Sequence, residues 1–261
     1  MPDRLTPQNR AKYAAARGAL NYVEKDMKLG LGTGSTAEWF VRLLAPHAEQ
    51  QNLNLTCTST SERTADLAAH LGLRVVTLDE AGWLDLTIDG ADEVDPDLNL
   101  IKGGGAAHLR EKIVATASDR MVVITDDSKL VGKLGKFPLP VEVIPFGWSA
   151  TRSLIEEVLE ESDVAGTRVE IRMNGEMPVQ TDEGNLVLDL HLEAINAPEE
   201  LSLMLNRIPG VVENGLFLGM ADEVSLGLTD GTAQAVVAGG TGRELAYVDE
   251  LDIASILAAG T

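Results

Sequence analysis

Three short stretches of this chain pair glycine with groups that carry charge or move protons. The first is Gly30-Leu31-Gly32-Thr33-Gly34-Ser35-Thr36, placed between an apolar run and a helical pattern. Glycines let the backbone turn sharply and approach a ligand, and hydroxyls with N–H groups at a helix start can receive a phosphate. The loop lacks the GK[ST] of a Walker loop and the downstream acid of a dinucleotide fingerprint. A plain strand-to-helix turn capped by Ser or Thr is the structural alternative. The second stretch is Asp89-Gly90-Ala91-Asp92-Glu93, after the apolar run 84–88. Two carboxylates three apart at a strand end can exchange protons or hold sugar hydroxyls, and their repulsion raises one of the two pKa values. A solvated acidic turn and magnesium chelation are the other readings, and nothing else in the sequence supplies the further oxygen ligands magnesium needs.

The third stretch is Lys102-Gly103-Gly104-Gly105-Ala106-Ala107, followed by a helical pattern that carries Arg110, Glu111 and Lys112. Three consecutive glycines are costly in backbone entropy, so the chain must need that freedom, and a backbone lying against a ligand explains it. Successive N–H groups there would stabilise a developing oxyanion, with Lys102 adding positive charge. Glu111 then sits one to two turns into the helix, either held towards the same place or as one member of an exposed Arg-Glu-Lys face. Lys129, just past the apolar run 121–125, is a further candidate; its alternative is a solvated turn lysine. His47, His70, His108 and His191 show no metal-ligand spacing, and Cys57 within an apolar run reads as buried and inert.

Positioning these groups takes an alternation of short strands and helices. A helix over 9–23, a strand over 27–32, the turn 32–36 and a helix over 37–44 come first. Strands at 53–58, 74–78, 84–88 and 121–125 follow, with helices beginning near Ser61 and Ala106. This is the pattern of an α/β domain built on an open, largely parallel sheet flanked by helices, which binds ligands beyond the carboxyl ends of its strands. Near 136–145 three prolines break the alternation. Beyond them, a strand (141–144), helix (150–160), strand (168–173), strand (186–192), helix (198–206) and strand (211–216) give the order βαββαβ, a smaller ferredoxin-like α+β domain. Strands at 223–228 and 234–238 and a closing helix over 250–258 return to the first domain. The expected domains are therefore 1–136 with 215–261, and 137–214.

A chain of 261 residues with 44% hydrophobic content can bury a substantial core. Lys+Arg 21 against Asp+Glu 41 gives a net charge of −20, which argues against nucleic acid as a partner and also fits a salt-adapted source. A small anionic substrate remains compatible, because a local cluster of lysines and helix N-termini overrides a field that salt screens. The single cysteine excludes an internal disulfide framework. With no apolar leader and no membrane-spanning run, a soluble cytoplasmic protein is expected.

In order, GLGTGSTA, DGADEVDP, IKGGGAAHLREKI and SKLVGKLGKFPLPVEVIP resemble the defining segments of type A ribose-5-phosphate isomerases. NLVLDLH, IPGVVENGLF and ADEVSLG extend the resemblance over nearly the whole chain. It implies a sugar-phosphate isomerase/CoA transferase-like fold and aldose-ketose isomerisation of a pentose 5-phosphate through a cis-enediolate, in the non-oxidative pentose phosphate pathway. No metal and no organic cofactor are implied, and a homodimer or homotetramer is. By the same resemblance Glu111 is the proton acceptor, with Asp89, Asp92 and Lys102 as the other catalytic groups. Substrate contacts fall on Thr33, Gly34, Ser35, Thr36, Asp89, Gly90, Ala91, Asp92, Lys102, Gly103, Gly104, Gly105 and Lys129, and a phosphate contact on Lys12. His108 and Asp127 depart from the family's usual residues. An amino-sugar phosphate deaminase or CoA transferase would order its acid and nucleophile differently. A sugar-phosphate sensor would need a helix-turn-helix, for which the amino-terminal segment offers neither room nor charge.

Overall fold

The computed structural model describes residues 5–240 and 242–245; the helix expected over 250–258 lies outside them. The chain runs through α1 (Pro7–Ala19), a 3-10 turn (Leu20–Tyr22), β1 (Lys28–Leu31), α2 (Ser35–Gln51), β2 (Thr56–Ser59), α3 (Glu62–His70), α4 (Leu78–Ala81) and β3 (Leu86–Gly90). Next come β4 (Glu93–Val94), β5 (Leu100–Ile101), α5 (His108–Thr116), β6 (Met121–Asp126) and β7 (Leu139–Val143). Then follow α6 (Trp148–Glu161), β8 (Arg168–Ile171), β9 (Met173–Asn174), β10 (Met177–Pro178), β11 (Leu186–His191), α7 (Pro198–Asn206) and β12 (Val211–Asn214). The last described elements are β13 (Leu216–Phe217), β14 (Glu223–Gly227), β15 (Ala233–Val236) and β16 (Gly242–Glu244). Among the described residues no helix is long and apolar enough to cross a membrane.

Two units result. One holds Met1–Gly90, Ile113–Lys129 and Met220–Thr261, the other Ala91–Lys112 and Leu130–Gly219. The boundaries differ from those expected at 136 and 215. The reason is the small sheet β13-β5-β4, which ties residues 93–101 to residues 216–217.

The first unit is a seven-stranded sheet in the order β16-β15-β14-β6-β3-β1-β2. The run from β14 to β2 is parallel, and β15 and β16 add an antiparallel edge. Fully buried strands read as continuous apolar runs, which is why MVVITD of β6 is buried throughout. Helix α1 is rich in alanine because it lies directly on β14. A Cβ on Gly227 would stand 1.8 Å from the Ala11 carbonyl, and the Ser225 hydroxyl donates to the Ala15 carbonyl at 2.8 Å. Tyr13 and Trp39 lock α1 to α2 edge to face, with ring centres 5.6 Å apart.

Several boundaries moved. The strand expected at 74–78 is a single bridge from Val75 to Cys57. Thr77 there caps α4 instead, in a reciprocal box with Glu80. The strand expected at 53–58 starts only at Thr56, because Asn52 and Asn54 take left-handed backbone angles. Helix α2 continues past Pro46 to Gln51, since Leu43, Leu44 and His47 bury on its inner face. Cys57 is buried as expected, and burial pushes its thiol up to about 12.

The second unit carries the βαββαβ order as an antiparallel sheet β12-β7-β11-β8. Its core joins Val141, Ile155, Leu188, Leu190, Leu201 and Leu205. The strand expected over 211–216 is cut at Gly215 and belongs to two sheets. The Gly215 amide donates to the Pro140 carbonyl, its own carbonyl accepts from Lys102 N–H, and a Cβ there would stand 2.3 Å from the Lys102 carbonyl.

Candidate active site

In the first unit the parallel registers set Leu31 beside Ile88 and Gly90 beside Ile124. The segments after β1, β3 and β6 therefore leave one edge of the sheet together. Gly32 must be glycine because Asp89 fills the place of its side chain. A Cβ there would be 2.0 Å from Asp89 Oδ1 and 2.5 Å from its Cα. Asp89 is buried and accepts at Oδ1 from the amides of Thr33, at 3.1 Å, and Gly90, at 2.7 Å. Gly34 caps α2 with φ 116° and ψ 173°, a region open essentially to glycine, and no side chain caps the helix. The first turn of α2, with Ser35 exposed and Thr36 half-buried, thus presents its N–H groups at the positive end of a 17-residue helix. Lys12 of α1 reaches the same turn, donating to the Ser35 hydroxyl at 2.8 Å. Lys129 ends a 3-10 turn (Asp127–Lys129) at the carboxyl end of β6, the strand beside β3.

Around Thr33 stands a set that sequence reasoning missed. Its hydroxyl meets those of Thr60 at 2.7 Å and Ser61 at 2.8 Å, while the Thr64 hydroxyl donates to the Gly32 carbonyl at 3.2 Å. The run Thr58-Ser59-Thr60-Ser61 at the end of an apolar stretch was the available signal.

In the second unit Ala91 and Asp92 follow Gly90 directly. The Asp92 carboxylate accepts from the Gly104 amide at 2.7 Å, and a Cβ on Gly104 would stand 2.7 Å from it. Gly103 has φ 103°, and a Cβ there would meet His108 Nδ1 at 2.8 Å and Pro140 Cγ at 3.0 Å. Gly104 and Gly105 are exposed. At Gly103 and Gly104 the turn is therefore a backbone surface with no room for a side chain.

Lys102 and Glu111 are brought together: Nζ lies 3.3 Å from Oε2, with side-chain exposures of 2% and 5%. At that burial the attraction is little screened, and the ammonium favours the ionised carboxylate, the form that accepts a proton. Phe217 stacks under both Lys102, at 5.4 Å, and Lys112, at 4.9 Å. Lys112 donates to Glu213 at 2.9 Å and to the Asn214 carbonyl at 2.7 Å, and burial lowers its pKa. Glu111 is thus buried while its neighbours Arg110 and Lys112 pair elsewhere, which disposes of the exposed charged face.

His108 is fully buried, and burial pushes its pKa down to about 4. Its Nε2 stands 3.9 Å from the Glu142 carboxylate, and as a neutral ring at pH 7 it forms no ion pair there. Arg172, which the sequence did not single out, also touches the glycine turn and is itself held by Asp189; only the folded β-strands bring them there.

The sequence matches the family model for ribose 5-phosphate isomerase A (phosphoriboisomerase A) over residues 56–231. It is 60% identical over 234 residues to ribose-5-phosphate isomerase A of Dinoroseobacter shibae, covering 90% of each chain. With the Cereibacter sphaeroides protein of the same name it shares 62% over 231 residues, 88% of each. Among solved structures, the Methanocaldococcus jannaschii ribose 5-phosphate isomerase A superimposes with a TM-score of 0.80 at 39% identity, covering 88% of this chain and 99% of that one. A D-ribose-5-phosphate isomerase in complex with phospho-erythronic acid gives 0.81 at 38% identity, with the same coverage. The chain belongs to the ribose 5-phosphate isomerase A family and is an isomerase of ribose 5-phosphate.

Proposed function

We propose that Glu111 is the base of this isomerisation, and that the buried Lys102–Glu111 pair is the observation that carries the assignment. Ring opening of the furanose moves a proton from the O1 hydroxyl to the ring oxygen, with Asp89 and Lys102 as the groups that relay it. The C1 aldehyde then acidifies the C2–H bond, and Glu111 takes that proton. Charge passes to O1, where Lys102 and the amides of the 103–105 turn stabilise the cis-enediolate. Asp92, steadied by the Gly104 amide, relays the proton of O2 to O1. Glu111 returns its proton to C1, which leaves the ketone at C2 and yields ribulose 5-phosphate. An α-hydroxy aldehyde supplies its own electron sink, so the scheme calls for no metal or organic cofactor.

The 5-phosphate is assigned to the start of α2, with Thr33, Gly34, Ser35 and Thr36 as contacts and Lys12 and Lys129 as neutralising charges. Gly90, Ala91, Gly103 and Gly105 are assigned to sugar contacts. Phospho-erythronic acid, seen in a relative, has a planar carboxylate resembling the two oxygens of an enediolate, and it is expected to inhibit this chain competitively. A cytoplasmic homo-oligomer acting in the non-oxidative pentose phosphate pathway completes the reading.

The test is conversion of ribose 5-phosphate in D₂O by EDTA-treated protein. Ribulose 5-phosphate carrying deuterium at C1, with both product and label lost in Glu111→Gln, is the expected result. Normal turnover by Glu111→Gln would overturn the assignment of the base.

A further inference from the structure

Two carbonyls of the 103–105 turn accept from one side chain. Arg172, between β8 and β9, donates from Nη1 to the Gly103 carbonyl at 2.7 Å and to the Gly104 carbonyl at 3.1 Å. The other side of its guanidinium is gripped by Asp189 of β11, Nε to Oδ2 at 2.9 Å and Nη2 to Oδ1 at 2.5 Å. Its backbone is fixed as well, with Arg172 N–H on the Val187 carbonyl at 2.8 Å and Val179 N–H on its own carbonyl at 2.9 Å. Both partners are largely buried, with side-chain exposures of 15% and 19%.

The geometry of the peptide unit turns these contacts into a statement about donors. The Gly103 carbonyl shares its peptide with the Gly104 N–H, and the Gly104 carbonyl shares its peptide with the Gly105 N–H. In a trans peptide the C=O and N–H point in opposite directions. A guanidinium that draws both carbonyls to one side therefore turns both N–H groups to the other. One of the two, Gly104 N–H, is seen to reach Asp92. Hydrogen bonding at the carbonyl also polarises the peptide and strengthens the N–H as a donor. Within the turn the Ala106 N–H donates to the Gly103 carbonyl at 3.0 Å; Arg172 adds a second donor there and also takes the Gly104 carbonyl, whose direction a run of glycines has no preference of its own to set.

We propose that Arg172, clamped by Asp189, is a positioning residue for the isomerisation: it aims the Gly104 amide at Asp92 and the Gly105 amide at the developing oxyanion. The proposal rests on the reading of the 103–105 turn as the enediolate site. Arginine is required because its planar fork serves a carboxylate and two carbonyls at once, which the single ammonium of lysine cannot do. Arg172 touches no substrate in this scheme. Its loss therefore lowers kcat and leaves KM nearly unchanged, because the ground-state sugar phosphate does not depend on the amide direction.

The experiment compares Arg172→Lys, Arg172→Ala and Asp189→Asn with the full-length wild type, alongside Glu111→Gln. Kinetics are read with ribose 5-phosphate, with and without added guanidinium ion, and thermal unfolding is read on the same samples. Arg172→Lys and Arg172→Ala are expected to lose roughly 10- to 100-fold in kcat, with KM within about threefold, and Asp189→Asn to lose less. Guanidinium ion should restore several-fold activity to Arg172→Ala and none to Glu111→Gln. An unchanged kcat in both Arg172 variants would overturn the clamp. So would a rise in KM at constant kcat, which marks a substrate contact, or a loss of kcat matched by a loss of folding that neither lysine nor guanidinium relieves. Normal turnover by Glu111→Gln beside a guanidinium-rescued loss in Arg172→Ala would remove the base and leave the clamp standing.

Discussion

The turn over residues 32–36 in the first unit and the turn over 103–105 in the second solve the same problem by different means. Each uses glycine to bring a main-chain amide to an aspartate, Thr33 to Asp89 in one and Gly104 to Asp92 in the other. The first turn is fixed by regular structure. A parallel strand ends, a helix begins, and the positive helix terminus is left open with hydroxyls at its mouth. The second is fixed by side chains from afar: Arg172, gripped by Asp189, on its carbonyls, His108 and Pro140 beneath Gly103, and a buried ion pair at Lys102. A site for a bulky dianion can be built from main chain, because a phosphate tolerates many donor directions. Proton transfer needs a base and donors held to a fraction of an ångström, and packed, charged side chains provide that.

The largest effect should come from the second turn's partner. Glu111→Gln keeps the volume beside Lys102 but removes the proton acceptor, and a fall in kcat of about 10³-fold or more is expected. Steady-state kinetics with ribose 5-phosphate checks it; a fall under tenfold would break the distinction between the two turns.

Next, paired alanine substitutions separate crowding from backbone strain. Gly34→Ala meets nothing within 4 Å and pays only for its φ of 116°, of the order of 1–3 kcal/mol. Gly103→Ala pays a similar cost for its φ of 103° and also strikes His108 and Pro140. Urea unfolding should show the larger loss for Gly103→Ala, and equal losses would mean that the packing beneath the second turn yields.

The third test is pH. His108 is held at about 4 in the folded chain, below its ordinary value of 6.5. The unfolded chain therefore takes up a proton that the folded one refuses, and stability falls as pH drops from 6.5 towards 4. The loss reaches at most about 3 kcal/mol. Glu142, whose pKa is raised by burial, works in the opposite direction and trims it. Unfolding free energies at pH 7, 6 and 5 should slope in the wild type and flatten in His108→Gln.

The smallest effect belongs to the first turn. Lys12→Ala removes one half-exposed charge from a site made mostly of main-chain groups, so KM should rise by about five- to tenfold, near 1 kcal/mol, with kcat unchanged. A loss of kcat instead would put Lys12 in the chemistry.

How much of this was legible follows the same division. The helix start near Ser61, the buried run of β6 and the βαββαβ order were readable because capping, apolar periodicity and chain order are local properties, whereas the helix expected from 37 begins at Ser35, capped by Gly34 without a side chain. The expected strand at 74–78 failed because Thr77 and Glu80 form a helix cap that outcompetes pairing. The expected strand at 211–216 is cut in two because Gly215 must lie against the Lys102 backbone, a partner more than a hundred residues away. Asp89, Lys102 and Gly103 stood out by type and spacing, and Glu111 was singled out from an open alternative by the family resemblance, whereas Arg172, Asp189 and Phe217 carried no local mark. Sequence alone determined the alternation of elements, the glycine turns and the identity of the ionisable groups, since these are written in consecutive residues. Tertiary structure alone decided that Glu111 is buried beside Lys102 and that Arg172 holds the carbonyls of Gly103 and Gly104. Burial and side-chain contact depend on which distant strands pair, and no local spacing encodes that.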